Sequence, residues 1–136
     1  MPYMRPPLIT RKFFNPIAMR LGLSGTQALA VRGRRTGMVH RVPVIPVDVG
    51  GVSYIVSPRG ETDWARNLRA AGEGWLELRR GGPRPFRATE VPVAERAPVI
   101  EAYRAKAGRA VKSFFEKMPD AADHPVFRIE ERPPVA

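Results

Sequence analysis

The sequence predicts an α+β fold that is mainly β, on three observations. Short runs rich in valine and other β-branched residues, 27–32, 41–47 and 52–57, recur between glycine- and proline-bearing turns. Two later runs, 75–79 and 85–91, alternate apolar and polar residues, the period of half-buried strands. Helical spacing of apolar residues is confined to the segments before, between and after these runs.

Residues 1–9, broken by Pro2, Pro6 and Pro7, read as an extended arm. From Thr10, an N-cap residue, Phe13, Phe14, Ile17 and Leu21 fall at helical spacing, so 10–21 reads as a basic amphipathic helix kinked at Pro16. Such a helix packs on its own core, lids a pocket or lies on a membrane surface. Three antiparallel strands are expected next, the second and third joined by a hairpin turn at Asp48-Val49-Gly50-Gly51. Pro43 and Pro46 place the second at an edge or at bulges. Thr62 or Asp63 caps a helix through Ala71 that Gly72 closes, with Trp64, Leu68 and Ala71 on its buried stripe. Asn67 sits beside that stripe, and a buried amide needs partners, either in a neighbouring loop or on a ligand.

Beyond the two alternating strands, 94–107 reads as a helix starting near Pro98, with Val99, Ala102 and Tyr103 inward. After Gly108 a second helical piece carries Val111, Phe114, Phe115 and Met118 at i, i+3, i+4 and i+7, a stripe that reads as core or as ligand wall. A loop over 119–125, a strand over 126–130 and a proline-rich tail over 131–136 follow. The whole of 1–136 reads as one domain without internal repeats.

Cysteine is absent, which excludes a disulfide framework, a thiolate nucleophile and a cysteine metal site, and suits a reducing cytoplasm. His40 and His124 have no third ligand at zinc spacing, so no metal centre is expected. There is no run of roughly 18 apolar residues and no secretory layout at the N-terminus. A cytoplasmic protein is expected, with peripheral membrane contact open only to the N-terminal helix.

The net charge of +10 is unevenly spread. Residues 1–47 hold eight Lys and Arg and no acid, while the remaining 89 hold fifteen basic and thirteen acidic residues. Such a field draws polyanions: nucleic acid, anionic lipid or a phosphorylated cofactor. Nucleic acid fits poorly, because the arginines are not interleaved with aromatics and no helix carries a face of Arg, Lys, Asn and Gln. Nucleophile-elbow, Walker and dinucleotide glycine motifs are missing and the carboxylates are scattered. An enzyme built on this chain takes its reactivity from a bound cofactor.

The most distinctive stretch is Gly33-Arg34-Arg35-Thr36-Gly37. Two glycines bracket two guanidinium forks and a hydroxyl, which makes either an anion nest or an ordinary hairpin turn with solvated arginines. Taken with Ser57-Pro58-Arg59-Gly60 and with Trp64-Ala65-Arg66-Asn67-Leu68-Arg69-Ala70-Ala71-Gly72, it resembles the deazaflavin-dependent nitroreductase family over about residues 26–130.

The resemblance implies a split β-barrel of the FMN-binding type, with an N-terminal helix and peripheral helices, that uses coenzyme F-420, a deazaflavin carrying a phosphodiester and an oligoglutamate tail. It implies that Arg34, Arg35 and Thr36 grip the phosphate, that Gly37 admits the backbone, and that His40 or Arg41 is the basic residue just after the turn. Ser57, Arg59 and Gly60 fall in the loop beside the ring and ribityl chain, and Trp64 and Asn67 in a Trp-x-x-Asn-Leu signature that holds the cofactor. The implied activity is hydride transfer between the reduced deazaflavin and an apolar conjugated small molecule. Where well-known members carry a tyrosine cluster, this sequence offers Phe114 and Phe115 for the substrate pocket and Tyr103 as proton donor. FMN is the alternative cofactor, lacking the acidic tail that Arg59, Arg66 and Arg69 would read. A non-catalytic carrier of an apolar ligand at a membrane surface is the alternative of another class. Edge strands and the N-terminal arm point to a homodimer.

Overall fold

A computed structural model describes residues 25–77 and 82–132. The expected arm, the N-terminal helix, the end of the 75–79 strand and most of the tail lie outside the described residues. Strands β1 (Gln27–Arg32), β2 (Val39–Val44), β3 (Val47–Val49), β4 (Val52–Val56), β5 (Glu73–Glu77), β6 (Pro83–Glu90) and β7 (Val126–Glu131) form one antiparallel sheet. Their order is β2-β1-β5-β6-β7-β4-β3. Helix α1 (Asp63–Ala71) joins β4 to β5, while α2 (Ala97–Ala107) and α3 (Arg109–Lys117) lie between β6 and β7.

The second valine run departs from expectation. It is not one strand in a row of three but two strands on opposite edges of the sheet: Val44 pairs with Gln27 of β1, and Val47 with Tyr54 of β4. The third strand, β4, finds its other neighbour in β7. Pro46 supplies no N–H for a ladder, so the run breaks at Ile45-Pro46. Those two residues fix the shape of the sheet. Seven strands laid flat would hold their outer members about 28 Å apart, whereas the chain from Val44 to Val47 reaches only about 10 Å. The sheet is therefore curled into a half-barrel whose edges nearly meet, the architecture that the family resemblance implies.

Alternation along each strand divides two cores. Leu29, Val31, Val44, Ile55, Phe86, Phe127 and Ile129 fill the inside of the curl, where Ala65 and Leu68 of α1 join them. Val47, Val56 and Val126 pack outward against Val99, Ile100, Tyr103, Ala107, Val111 and Phe115 of α2 and α3. Antiparallel order also sets where the connections lie. The β1–β2 turn, α1 and the α2–α3 pair all sit at the same end of the half-barrel, because β1, β4 and β6 all run toward it.

Helix α1 has the ends its sequence predicts. The Thr62 hydroxyl accepts the Ala65 N–H at 3.3 Å, and Gly72, left-handed at φ 70°, donates its N–H to Leu68 O at 2.8 Å. The following glycine, Gly74, is needed for another reason. A Cβ there would stand 2.9 Å from the Ala30 carbonyl oxygen and 3.2 Å from Phe86 Cζ, where β5 lies between β1 and β6. Gly74→Ala is therefore expected to cost about 1–3 kcal/mol through overpacking, read as a lower urea midpoint with an unchanged slope.

Candidate functional site

The β1–β2 turn is closed by its own backbone. Gly33 N–H donates to Met38 O at 2.7 Å, and Gly37, at φ 77°, donates to Gly33 O at 3.0 Å. Arg32 Nη1 holds the Gly37 carbonyl at 2.9 Å, and the Thr36 hydroxyl accepts the Met38 N–H at 3.2 Å. The oxygen of Thr36 thus shapes the turn.

Asn67 ties this turn to α1. Its buried Oδ1 accepts both the backbone N–H of Arg34, at 3.1 Å, and Nη1 of the same residue, at 2.7 Å. Asp63, one turn earlier on α1, lies 3.7 Å from Arg34 Nη2. The amide therefore anchors a neighbouring loop, one of the two roles its sequence allowed. Its Nδ2 has no hydrogen-bond partner among the described residues. Arg35 is exposed and, among the described residues, makes no hydrogen bond or ion pair.

The two basic residues after the turn face opposite ways. His40 pairs with Val31 on the inward register, and its ring lies over Gly33, where a Cβ would meet Nε2 at 3.0 Å. Arg41 points outward and places Nε 3.0 and 3.2 Å from the Glu77 carboxylate, reached across the small Ala28 and Ala30 of β1. Its charge is already matched by Glu77.

The loop leaving β4 is bound from several sides. Ser57, fully buried, donates Oγ–H to Gly60 O at 2.6 Å, which leaves the Thr62 hydroxyl to donate to Ser57 Oγ at 3.2 Å. Its N–H meets Pro125 O at 2.9 Å, and its carbonyl faces Nδ1 of the buried His124 at 3.1 Å. The His124 ring spans on to Met118 O and stacks on Phe115 at 4.2 Å. Ser57 therefore shapes the loop from within. Gly60 turns the chain at φ 93°. Between them Arg59 lays its guanidinium over the Phe114 ring, 5.3 Å from the centroid, and its buried Nε has no hydrogen-bond partner among the described residues.

Arg69, expected to read an acidic tail, is committed elsewhere. It grips Glu61 through Nη2 at 2.6 and 2.9 Å and Glu90 through Nε and Nη2 at 2.7 and 2.8 Å. These bonds push its pKa up and hold the Glu90 carboxyl below its ordinary range. Arg96, which no sequence signal singled out, completes this cluster from a buried position. It donates to the carbonyls of Val91, Ala121 and His124 and to Glu90 at 2.8–3.3 Å, stapling the start of α2 to the end of β6 and the approach to β7.

Of the aromatic candidates, Trp64 packs half-buried at 6.2 Å from Phe127 on the barrel core. Tyr103 and Phe115 stand 6.2 Å apart in the helix-side core, where burial pushes the Tyr103 hydroxyl well above its usual range. Phe114 is half-buried and meets the loop through Arg59. The structure thus gathers Arg34, Arg35, Thr36, His40 and Asn67 on one side of α1, and Arg59, Gly60 and Phe114 at the loop that feeds it.

No protein-family model matches the chain, and no curated protein matches it. Solved structures do. An F-420-H2 dependent reductase superposes with a TM-score of 0.58 at 19% identity, covering 79% of this chain and 95% of its own. The fold is a split β-barrel. It is shared with Campylobacter jejuni ChuZ, at TM-score 0.56 and 17% identity, and with a heme binding protein from Mycobacterium smegmatis, at 0.55 and 14%. Each alignment covers 79% of this chain but only 48% and 46% of those longer chains. Among the described residues no helix is long and apolar enough to cross a membrane.

Two outcomes follow from the hydrogen bonds. Asn67→Ala leaves the part-buried Arg34 N–H without its acceptor, so a loss of about 1–3 kcal/mol in urea unfolding is expected, with faster amide exchange at Arg34. Glu90 has a folded pKa below its ordinary 4.5. Its stabilising contribution is therefore complete well above that value and is lost as the pH falls from there toward the folded pKa. Glu90→Gln should flatten that part of an acid-unfolding curve, followed by circular dichroism.

Proposed function

We propose that this chain belongs with the deazaflavin-dependent reductases and binds coenzyme F-420 where the Arg34–Gly37 turn and the Ser57–Gly60 loop meet α1. The observation that carries this reading is a pair of donors the protein itself does not use. Arg35 presents a whole guanidinium beside a turn already fixed by Asn67, and Arg59 holds a buried Nε–H without an acceptor. A buried donor left unpaired costs about 1–3 kcal/mol, and ligand oxygen relieves that cost. The residues present therefore fit a flavin-like group bearing phosphate.

In this reading Arg35 binds phosphate oxygens bidentately, with the turn backbone and Thr36 alongside. Arg34, locked by Asn67 and Asp63, presents the turn rather than searching for the anion. Arg59 donates to a ligand oxygen, and Gly60 lets the backbone come close. Trp64 seats α1 on the barrel. Phe114 offers an apolar edge to a conjugated acceptor. The deazaflavin supplies the hydride when bound. Tyr103 stays in the core and takes no part. The outer edges of β2 and β3 pair with no other strand among the described residues and suit a second copy of the chain, and we read the protein as a cytoplasmic homodimer.

FMN remains the second reading, because the Arg69–Glu61–Glu90 cluster removes one cation expected to favour an acidic tail. Fluorescence titration with coenzyme F-420 and with FMN separates the two. Micromolar or tighter deazaflavin binding with weak FMN binding is the expected result; binding of neither abandons the reading. Arg35→Ala should weaken the deazaflavin by about 1.5–3 kcal/mol, a loss of roughly 10- to 150-fold. Unchanged affinity in that variant would remove the turn from the site.

A further inference from the structure

We infer that Phe114 is a positioning residue, holding the Arg59 guanidinium so that its buried Nε–H is kept for an oxygen of the bound ligand. The identity of that ligand rests on the cofactor reading above; the positioning role does not.

The contrast with other arginines carries the argument. Arg34, Arg41, Arg69 and Arg96 each find oxygen acceptors within the chain, and buried Arg96 finds four. Arg59 Nε is also buried and finds none; among the described residues it is the one buried side-chain polar atom left without a partner. What holds it is an aromatic face. The Phe114 ring lies 5.3 Å from Arg59 Cζ, and a cation–π contact of this kind steadies the fork without consuming a donor. A carboxylate in the same place would fix the plane and occupy the N–H.

The loop beneath is already rigid, so a fixed side chain means a fixed donor. Ser57 is bound at N–H, carbonyl and hydroxyl, by Pro125, His124 and Gly60. Phe115 braces His124 from the same helix turn on which Phe114 braces Arg59. Two consecutive residues of α3 thus hold the two ends of one loop. Phe115 does so from the core, whereas half-buried Phe114 packs only against the margin of that core. The acceptor that suits the reserved N–H is a carbonyl or anionic oxygen, from the ring or from the phosphate of the ligand.

The test uses the full chain and reads the Nε–H of Arg59 by nitrogen-15 NMR, assigned by its loss in Arg59→Lys. In the wild type this proton should exchange slowly with water. Phe114→Leu should speed its exchange about tenfold, and Phe114→Trp, which keeps an aromatic face, should restore protection. Added coenzyme F-420 should shift the signal, and Phe114→Leu should bind it about fivefold more weakly, with Phe114→Trp close to wild type. Unchanged protection in Phe114→Leu overturns the positioning role whatever the ligand. Lost protection with wild-type affinity overturns the link to binding. A signal that Phe114 protects, but that answers to FMN and not to F-420, supports the positioning role and discards the deazaflavin. One that answers to neither overturns the reserved donor.

Discussion

Two residues carry the chain from one edge of the sheet to the other. Because Ile45 and Pro46 must span the gap between β2 and β3, the seven strands cannot lie flat, and the curl that results gives the protein an inside. Everything placed at the end of the half-barrel follows. β1, β4 and β6 deliver their connections there, so the arginine turn, the Ser57 loop and the α2–α3 pair crowd around α1. The bend is also tied down: Lys106 of α2 bonds the Pro46 carbonyl, joining the two edges to the helical layer outside. A longer connection between β2 and β3 would relax this requirement and loosen the site with it.

The excess positive charge is sorted by the fold into two kinds. Arg41, Arg69, Arg96 and Arg132 face Glu77, Glu61, Glu90 and Glu73 and act as staples between strands and helices. The exposed pairs contribute little each, but Arg69 and Arg96 share Glu90 in a partly buried network that fixes the ends of β6 and α2. Arg35 and Arg59 belong to the other kind: among the described residues neither makes an ion pair, and each stands in a glycine-bearing loop beside α1. Net charge alone cannot make this distinction, since both kinds count equally toward it.

Much of the fold was legible because its signals are local. The bounds of β1 and α1, the Thr62 and Gly72 caps and the tandem α2–α3 helices follow from periodicity, capping and glycine placement, which depend on neighbours in sequence. Topology was less so. The run 41–47 contains the right valines, but whether it serves one edge or two depends on what pairs with Val47, and its partner β4 takes as its other neighbour β7, from the far end of the chain. The candidate site divides in the same way. Glycine at 37 and 60 and the arginines beside them are visible as residue types, and the family resemblance names them. That Arg41 is matched by Glu77, or Arg69 by Glu61 and Glu90, lies in pairings 8 to 36 residues apart that no motif records. Arg96 is the extreme case, since three of its acceptors are backbone carbonyls, which every residue possesses.

Asn67 shows how a turn so rich in glycine is held in one conformation. Glycine loosens the backbone, and an anion bound by a loose turn must first order it, at the expense of affinity. Here a single carbonyl oxygen, presented from the rigid α1, accepts both the main-chain N–H and the guanidinium of Arg34, so the middle of the turn is held without an anion. Aspartate at this position would hold Arg34 more strongly but add a negative charge beside the proposed anion site. Glutamine would have to bend back to reach. An asparagine supplies the acceptor, stays neutral and leaves Arg35 unneutralised one residue further on. The same logic recurs at Arg59, where a neutral ring rather than an acid sets the guanidinium, and in both places orientation is obtained without spending the charge.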